Sequence, residues 1–198
     1  AEKPSFQLME GFATTYGIKE SVFKPGYGMS ETVVAVCCSH TGFSKSNILF
    51  ASRKELIEKE KVVLCSGKDE DDKMALIEHG YPITNVSIGI FSNDNQPLSE
   101  NKIGSIRIKG KNVFQGYCNP EDNAGVFCDG WYITGDLGFI RDRKLYIVGR
   151  TKDIIIINGI NYMLTDMESV VERKIKSTNK LLLISVDEQE HESLVVFV

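Results

Sequence analysis

The sequence predicts an α+β fold, in which a helical region leads into an antiparallel, barrel-like β-sheet and then into a small α+β domain. Three observations support this: an amphipathic segment near the N-terminus, apolar residues that alternate with period two between residues 82 and 149, and a mixed strand and helix pattern from residue 150 onward. The composition agrees, because a chain of 198 residues with 42% hydrophobic and 25% charged residues is typical of globular domains.

Two segments ahead of the barrel carry helix signals. Apolar residues recur at helical spacing between Ser5 and Gly17, so we expect a helix that ends before this glycine. Ser52 and Glu55 form a capping-box pattern ahead of further apolar residues, which predicts a second, short helix.

The barrel is predicted from short alternating stretches separated by turn signals. Asn93-Asp94-Asn95 and Cys128-Asp129-Gly130 are typical turn sequences between such strands. The alternating residues are Val86, Ile88 and Ile90, then Ile106 and Ile108, then Leu145 and Ile147.

The pattern changes near Gly149-Arg150, where we place a domain boundary. Beyond it the predicted elements are a strand at 154–157, a turn at Asn158-Gly159, a helix announced by Thr165 and Glu168, and strands at 181–186 and 194–198.

Charge and cysteine usage exclude several classes of function. A net charge of −4 gives no basic excess for nucleic acid, and the longest apolar run, Ile154 to Ile157, is far shorter than the roughly 20 residues of a membrane span. The odd count of five cysteines, without a C-x-x-C pair, argues against a zinc site and fits reduced thiols of a cytoplasmic protein. The start Ala1-Glu2-Lys3-Pro4 is unlike a signal peptide, and we expect the chain to be part of a longer protein.

Asp136 is the most informative single carboxylate. It follows Gly135 at what we expect to be the start of a strand. Such an aspartate either stabilises a turn or accepts hydrogen bonds from the vicinal hydroxyls of a ribose, and this segment alone leaves both interpretations open.

Three segments in series resemble core motifs of the adenylate-forming superfamily, which includes acyl-CoA ligases, luciferases, peptide-synthetase adenylation domains and fatty acyl-AMP ligases. The segments are Tyr27-Gly28-Met29-Ser30-Glu31, Tyr132-Ile133-Thr134-Gly135-Asp136 and Gly149-Arg150-Thr151-Lys152-Asp153. A Gly110-x-x-x-x-x-Gly116-Tyr117 pattern lies between the first and the second of these segments.

Within the superfamily the chain looks most like a fatty acyl-AMP ligase. The connection from Glu31 to Gly80-Tyr81-Pro82 is long, and roughly residues 39–75 resemble the insertion by which these enzymes hamper the domain motion that coenzyme A requires. The resemblance implies that residues 1–81 end a large N-terminal domain in an α/β subdomain, that 82–149 form the barrel-like subdomain, and that 150–198 begin a small C-terminal domain.

The resemblance implies a site for ATP and AMP with Mg²⁺. Each residue also has a structural alternative, such as a core aromatic for Tyr27 or a junction ion pair for Arg150. The implied roles are adenine stacking by Tyr27 beside Gly28, a hydrogen bond from Ser30 to the α-phosphate, Mg²⁺ binding by Glu31, ribose binding by Asp136, a ribose or phosphate contact by Arg150, and a hinge at Lys152.

The implied reaction is activation of a fatty acid to acyl-AMP, followed by transfer to the phosphopantetheine thiol of an acyl carrier protein. The family's phosphate-binding loop and catalytic lysine lie outside these residues, so we expect this chain alone to be inactive. An acyl-CoA ligase and an amino-acid adenylation domain are alternatives. A catalytically inactive scaffold is another, permitted by departures from the family pattern at Ser105, Cys118, Ile160, Met163 and Leu164.

Overall fold

The computed structural model describes residues 6–44, 48–65, 72–157, 160–164, 167–168, 171, 182–188 and 191–197. Within the described residues two α-helices have complete bounds, α1 (Phe6–Tyr16) and α2 (Arg53–Glu58), and Leu164, Met167, Glu168 and Val171 are also helical. The strands are β1 (Gly26–Tyr27), β2 (Cys37–Cys38), β3 (Ile48–Ser52), β4 (Lys73–Ile77), β5 (Tyr81–Pro82), β6 (Val86–Phe91), β7 (Gly104–Gly110), β8 (Phe127–Cys128), β9 (Trp131–Arg141), β10 (Lys144–Arg150), β11 (Ile154–Ile157), β12 (Ile160–Met163), β13 (Leu182–Glu188) and β14 (His191–Phe197).

The two helices predicted ahead of the barrel are confirmed. Helix α1 stops before Gly17, whose φ of 62° is a left-handed conformation that glycine adopts without strain. Helix α2 begins after Ser52, and the Ser52 hydroxyl accepts a hydrogen bond of 3.2 Å from the backbone N–H of Glu55. This bond satisfies one of the free N–H groups at the start of the helix.

The antiparallel sheet is also confirmed. Strands β10, β9, β7 and β6 pair in that order, and β8 pairs with the edge of β9. Between β8 and β9 the chain turns through Asp129 (φ 50°) and Gly130 (φ 75°), as the turn signal predicts. Ile106, Ile108 and Leu145 are at most 1% exposed, so the alternating residues supply the core of the sheet.

The stretch that resembles an insertion folds as an antiparallel pair of strands, β3 and β4, with α2 between them in sequence. Leu56 of α2 and Leu76 of β4 are 1% and 0% exposed. They belong to a buried cluster that also contains Phe139 of β9 and Met163 of β12. This part of the chain therefore packs on the barrel and on β12 simultaneously.

The C-terminal elements are confirmed where the structure describes them. Strands β11 and β12 pair antiparallel, and so do β13 and β14. The predicted turn at Asn158-Gly159 lies outside the described residues, and so does Thr165, the predicted cap of the following helix. No helix within the described ranges has the length and apolar character needed to cross a bilayer.

A buried polar cluster joins the two ends of the β3–β4 unit to the barrel. Ser39, which precedes the unit, donates a hydrogen bond of 2.9 Å to Oε1 of Glu78, which follows it. Lys144 of β10 forms an ion pair with Oε2 of the same carboxylate. The Glu78 side chain is only 3% exposed, so its charge depends on these partners rather than on water.

We expect Lys144→Met to lower the free energy of unfolding by about 3 kcal/mol, because it leaves the buried Glu78 charge without its cation. Urea unfolding followed by circular dichroism measures this. Lys111→Met, at an exposed lysine in the loop after β7, is the matched control and should change stability little. Equal effects of the two substitutions would contradict this view of the cluster.

Candidate nucleotide-binding site

Asp136 lies at a β-bulge in the middle of β9. From Ser105 to Arg107, strand β7 advances two residues while β9 advances four, from Leu137 to Ile133. The expectation that Asp136 starts a strand is therefore wrong. The extra residues of a bulge re-aim side chains, and this one directs the aspartate into the interior, where it is 3% exposed.

Glycine and threonine shape the bulge. Gly135 has a φ of 76°, which suits a residue without a side chain. The Thr134 hydroxyl donates to the carbonyl of Ile106 at 2.8 Å and accepts from the backbone N–H of Asp136 at 3.0 Å. These bonds replace part of the interrupted strand pairing and fix the backbone of Asp136.

The Asp136 carboxylate has two protein donors. The Tyr27 hydroxyl donates to Oδ2, and the Arg150 guanidinium donates from Nε to Oδ1 at 2.9 Å. Arg150 is the register partner of Asp136 on β10, so strand pairing alone brings them together. Tyr27, Asp136 and Arg150 are predicted to contact the adenine, the ribose and the phosphate. Although Tyr27 is far from the other two in sequence, all three side chains meet at the Asp136 carboxylate.

Tyr27 is more enclosed than its predicted role requires. The residue is 3% exposed and packs in a core cluster with Val36 and Cys37. Burial, reinforced by the neighbouring Asp136 charge, raises the pKa of the Tyr27 hydroxyl, which therefore remains a donor. Adenine stacking by this ring stays a prediction, and it requires that a ring face become accessible.

The loop after Tyr27 is folded tightly against the barrel. A side chain at Gly28 would place its Cβ 1.6 Å from the carbonyl oxygen of Val34, so the close approach at this glycine is to the chain's own backbone. The Asn112 amide donates to the carbonyls of Thr32 and Ala35 at 3.0 and 3.1 Å. The loop is thereby held next to the segment that follows β7.

Glu31 lies in a 3-10 turn, Ser30–Thr32, within this loop. Its backbone carbonyl accepts from the N–H of Phe114 at 2.8 Å, and its Oε1 accepts from the Tyr117 hydroxyl at 2.8 Å. Hydrogen bonding by its own backbone N–H, then by Tyr117 and Ser30, and the nearby Arg150 charge lower the pKa of the carboxyl. Glu31 is thus an ionised, half-buried carboxylate, near enough to Arg150 for that charge to lower its pKa.

The remaining predicted residues are more exposed. Ser30 is exposed next to Glu31, and the Arg150 side chain is 50% exposed. Lys152 is exposed in the 3-10 turn Thr151–Asp153, directly after Arg150. Its role as a hinge stays a prediction.

Two contributors to the site were not assigned a role from the sequence. Tyr117 binds the Glu31 carboxylate, and Asn112 anchors the loop that carries it. The Gly116-Tyr117 pair was recognisable as a motif, but its partner lies 86 positions away in sequence. Asn112 had no sequence signal, because a loop asparagine is ordinarily a turn residue.

No protein-family model matches the chain, but individual relatives and solved structures do. A probable long-chain-fatty-acid–AMP ligase, FadD30 of Mycobacterium tuberculosis, is 31% identical over 198 residues, which cover 89% of this chain and 32% of that protein. The structure of a fatty acyl-adenylate ligase from L. pneumophila in complex with acyl adenylate and pyrophosphate has a TM-score of 0.68 and 27% identity, covering 99% of this chain and 36% of that one. A keto acid-selecting NRPS module with adenylation and ketoreductase domains has a TM-score of 0.82 and 30% identity, covering 99% of this chain and 17% of that one.

The fold, together with the sequence identity to these structures, is that of an adenylate-forming domain. The chain belongs to the adenylate-forming superfamily, with fatty acyl-AMP ligases and adenylation domains among its relatives. It spans about a third of the length of the curated relatives it matches first.

We expect Tyr27→Phe to lower the free energy of unfolding by about 1.5–3 kcal/mol, because it removes a buried hydrogen bond to a charged group and keeps the ring. Chemical denaturation measures this. Tyr16→Phe is the matched control, since Tyr16 is 65% exposed on α1. A Tyr27→Phe protein as stable as wild type would show that the Tyr27–Asp136 bond contributes nothing.

Proposed function

We propose that this chain is the nucleotide-holding part of an ATP-dependent ligase that activates a fatty acid as its acyl-adenylate. One observation carries the proposal. The side chains of Tyr27 and Arg150 both donate hydrogen bonds to the Asp136 carboxylate, and Glu31 is near Arg150. The proposal is supported by the chemistry of these groups, since the Asp136 oxygens suit a ribose, the Arg150 cation suits a phosphate, and the Glu31 anion suits the phosphate's counter-ion.

Asp136 is the proposed ribose ligand. Its two oxygens accept one protein hydrogen bond each in the contacts described above, while a carboxylate has about four acceptor positions. The remaining acceptor positions suit a ribose diol, whose binding requires that Asp136, which is 3% exposed, become accessible. Arg150, half-exposed beside it, is the proposed contact to the ribose or α-phosphate, and the exposed Ser30 is the proposed hydrogen-bond donor to that phosphate.

The chain's own residues fit Mg²⁺ that is shared with phosphate. No cluster of three or more His, Cys, Asp or Glu side chains occurs in the described part of the chain, so an all-protein cage is not offered there. Glu31 supplies one ionised carboxylate, and Mg²⁺ commonly binds one or two carboxylates while substrate phosphates fill further positions. When bound, this ion would neutralise phosphate charge.

The proposed chemistry is an in-line displacement. A carboxylate oxygen of the fatty acid forms a bond to the α-phosphorus of ATP, and the bond from that phosphorus to the pyrophosphate oxygen breaks. The described residues act by holding the AMP portion still, since such reactions depend mainly on position and on charge stabilisation.

The acyl acceptor is proposed to be the phosphopantetheine thiol of an acyl carrier protein. The β3–β4 unit supports this choice, because Leu56 of α2 shares a buried cluster with Met163 of β12, in the proposed small domain. Rotation of that domain toward coenzyme A chemistry would expose this apolar contact to water. Lys152 is the proposed hinge at the junction.

A second candidate is a peptide-synthetase type adenylation domain. The high structural similarity to the NRPS module favours it, since that match covers 99% of this chain. The substrate acid then differs, while the nucleotide site is the same. A scaffold without catalysis need not bind adenylate.

Assays of the full-length protein test these alternatives. We expect acyl-adenylate formation from fatty acids and ATP, and transfer to a carrier protein in preference to coenzyme A. Asp136→Asn should raise the KM for ATP by about tenfold or more, since it weakens hydrogen bonds to a charged group. The control, Asp94→Ala in an exposed turn, should behave as wild type. Activation of amino or keto acids instead would favour the adenylation domain, efficient acyl-CoA formation would overturn the choice of acceptor, and no adenylate binding would favour the scaffold.

We also expect the 198-residue chain by itself to catalyse no ATP–pyrophosphate exchange. The family's glycine-rich phosphate loop and catalytic lysine are not among these residues, so charge that develops on the phosphates lacks its compensation. Radiolabelled pyrophosphate exchange with the isolated chain, alongside the full-length protein, measures this. Exchange above background in the isolated chain would show the expectation to be wrong.

A further inference from the structure

Tyr117 is an exposed aromatic residue with a specific polar contact. It is 41% exposed, yet its hydroxyl donates to Oε1 of Glu31 at 2.8 Å. A long side chain on a surface loop ordinarily loses entropy when it is held in one geometry. The contact is therefore stable only if neighbouring residues hold the Tyr117 ring in place.

The loop around Tyr117 provides that structure. Asn123 accepts from the backbone N–H of Tyr117 at 2.7 Å and donates to its carbonyl at 3.0 Å. The same amide donates to the carbonyl of Asn119 at 3.2 Å. Gly116 has a φ of 139°, and a Cβ there would lie 2.7 Å from Oδ1 of Asn123. The loop backbone is thus fixed on both sides of the ring.

The ring itself is held by Phe114. The two ring centroids are 4.8 Å apart at an interplanar angle of 69°, which is the favoured edge-on arrangement of aromatic pairs. Phe114 also donates its backbone N–H to the carbonyl of Glu31. One loop therefore binds Glu31 at two points, the main chain through Phe114 and the carboxylate through Tyr117.

We propose that Tyr117 is a positioning residue that holds the Glu31 carboxylate in one orientation for the cation that accompanies ATP. This inference rests on the proposed function, in which Glu31 shares the cation with the phosphates. Hydrogen bonds to a ligating carboxylate fix its orientation before the cation binds, so less freedom is lost on binding. The Tyr117 hydroxyl supplies such a bond.

The test compares wild type with Tyr117→Phe in the full-length protein, because phenylalanine keeps the ring contact and removes only the hydroxyl. We expect the Mg²⁺ concentration for half-maximal pyrophosphate exchange to rise about three- to tenfold, as expected for one hydrogen bond to a partly exposed charge. The KM for fatty acid should stay the same. Binding of Mn²⁺·ATP without fatty acid, followed by electron paramagnetic resonance, should weaken by a similar factor.

Two controls separate positioning from a general structural effect. Tyr16→Phe should leave both measurements unchanged. In a Glu31→Gln background, Tyr117→Phe should weaken Mn²⁺·ATP binding no further, because the carboxylate that it positions is gone. An unchanged Mg²⁺ requirement in Tyr117→Phe, or the same loss with and without Glu31, would overturn the proposal.

The Mn²⁺·ATP measurement also separates failure of the proposed ligase function from failure of the proposed role of Tyr117. If wild type binds Mn²⁺·ATP but activates no carboxylic acid, the proposed function fails while the comparison of variants still decides the role of Tyr117. If wild type binds no Mn²⁺·ATP, both proposals fail.

Discussion

The site depends on the buried carboxylate of Asp136. A charge that is 3% exposed is costly unless it is paired and hydrogen-bonded, and here Tyr27 and Arg150 provide the partners. Because Asp136 needs these partners, the Tyr27–Asp136 hydrogen bond links β1 to β9, while β9 and β10 are already joined by strand pairing. The loop that follows Tyr27 is then anchored beside the barrel, which brings Glu31 toward Arg150.

Much of the fold was predictable because its signals are local. Period-two alternation identified β6, β7 and β10, and a capping box identified α2. Residues Val33 to Cys38 are all apolar, yet only the last two form a strand, β2. Val33 and Val34 have φ values of 54° and 90°, which β-branched residues rarely adopt. Tertiary contacts, such as those of Asn112 with this loop, override the local preference.

The candidate site divides in the same way. The order of the three motifs led us to predict Tyr27, Asp136 and Arg150 as site residues, and strand register explains why the last two meet. The bulge that buries Asp136 was not predictable, because it depends on how β9 pairs with β7. The Tyr117 contact is likewise a property of the folded loop, since neither residue of the pair has a local signal for the other.

Asp136 is buried and its partner Arg150 is exposed, which bears on how the proposed nucleotide would approach Asp136. Asp136 is enclosed on the side of Tyr27, which is 3% exposed, whereas the Arg150 side chain beside it is 50% exposed. We therefore expect the proposed ribose to approach Asp136 on the Arg150 side and to leave the buried Tyr27 bond intact. Ser30 is exposed and Glu31 is half-exposed, and the Arg150 charge acts on Glu31. In the proposed function, a nucleotide whose ribose binds Asp136 would extend its phosphates toward Ser30 and Glu31.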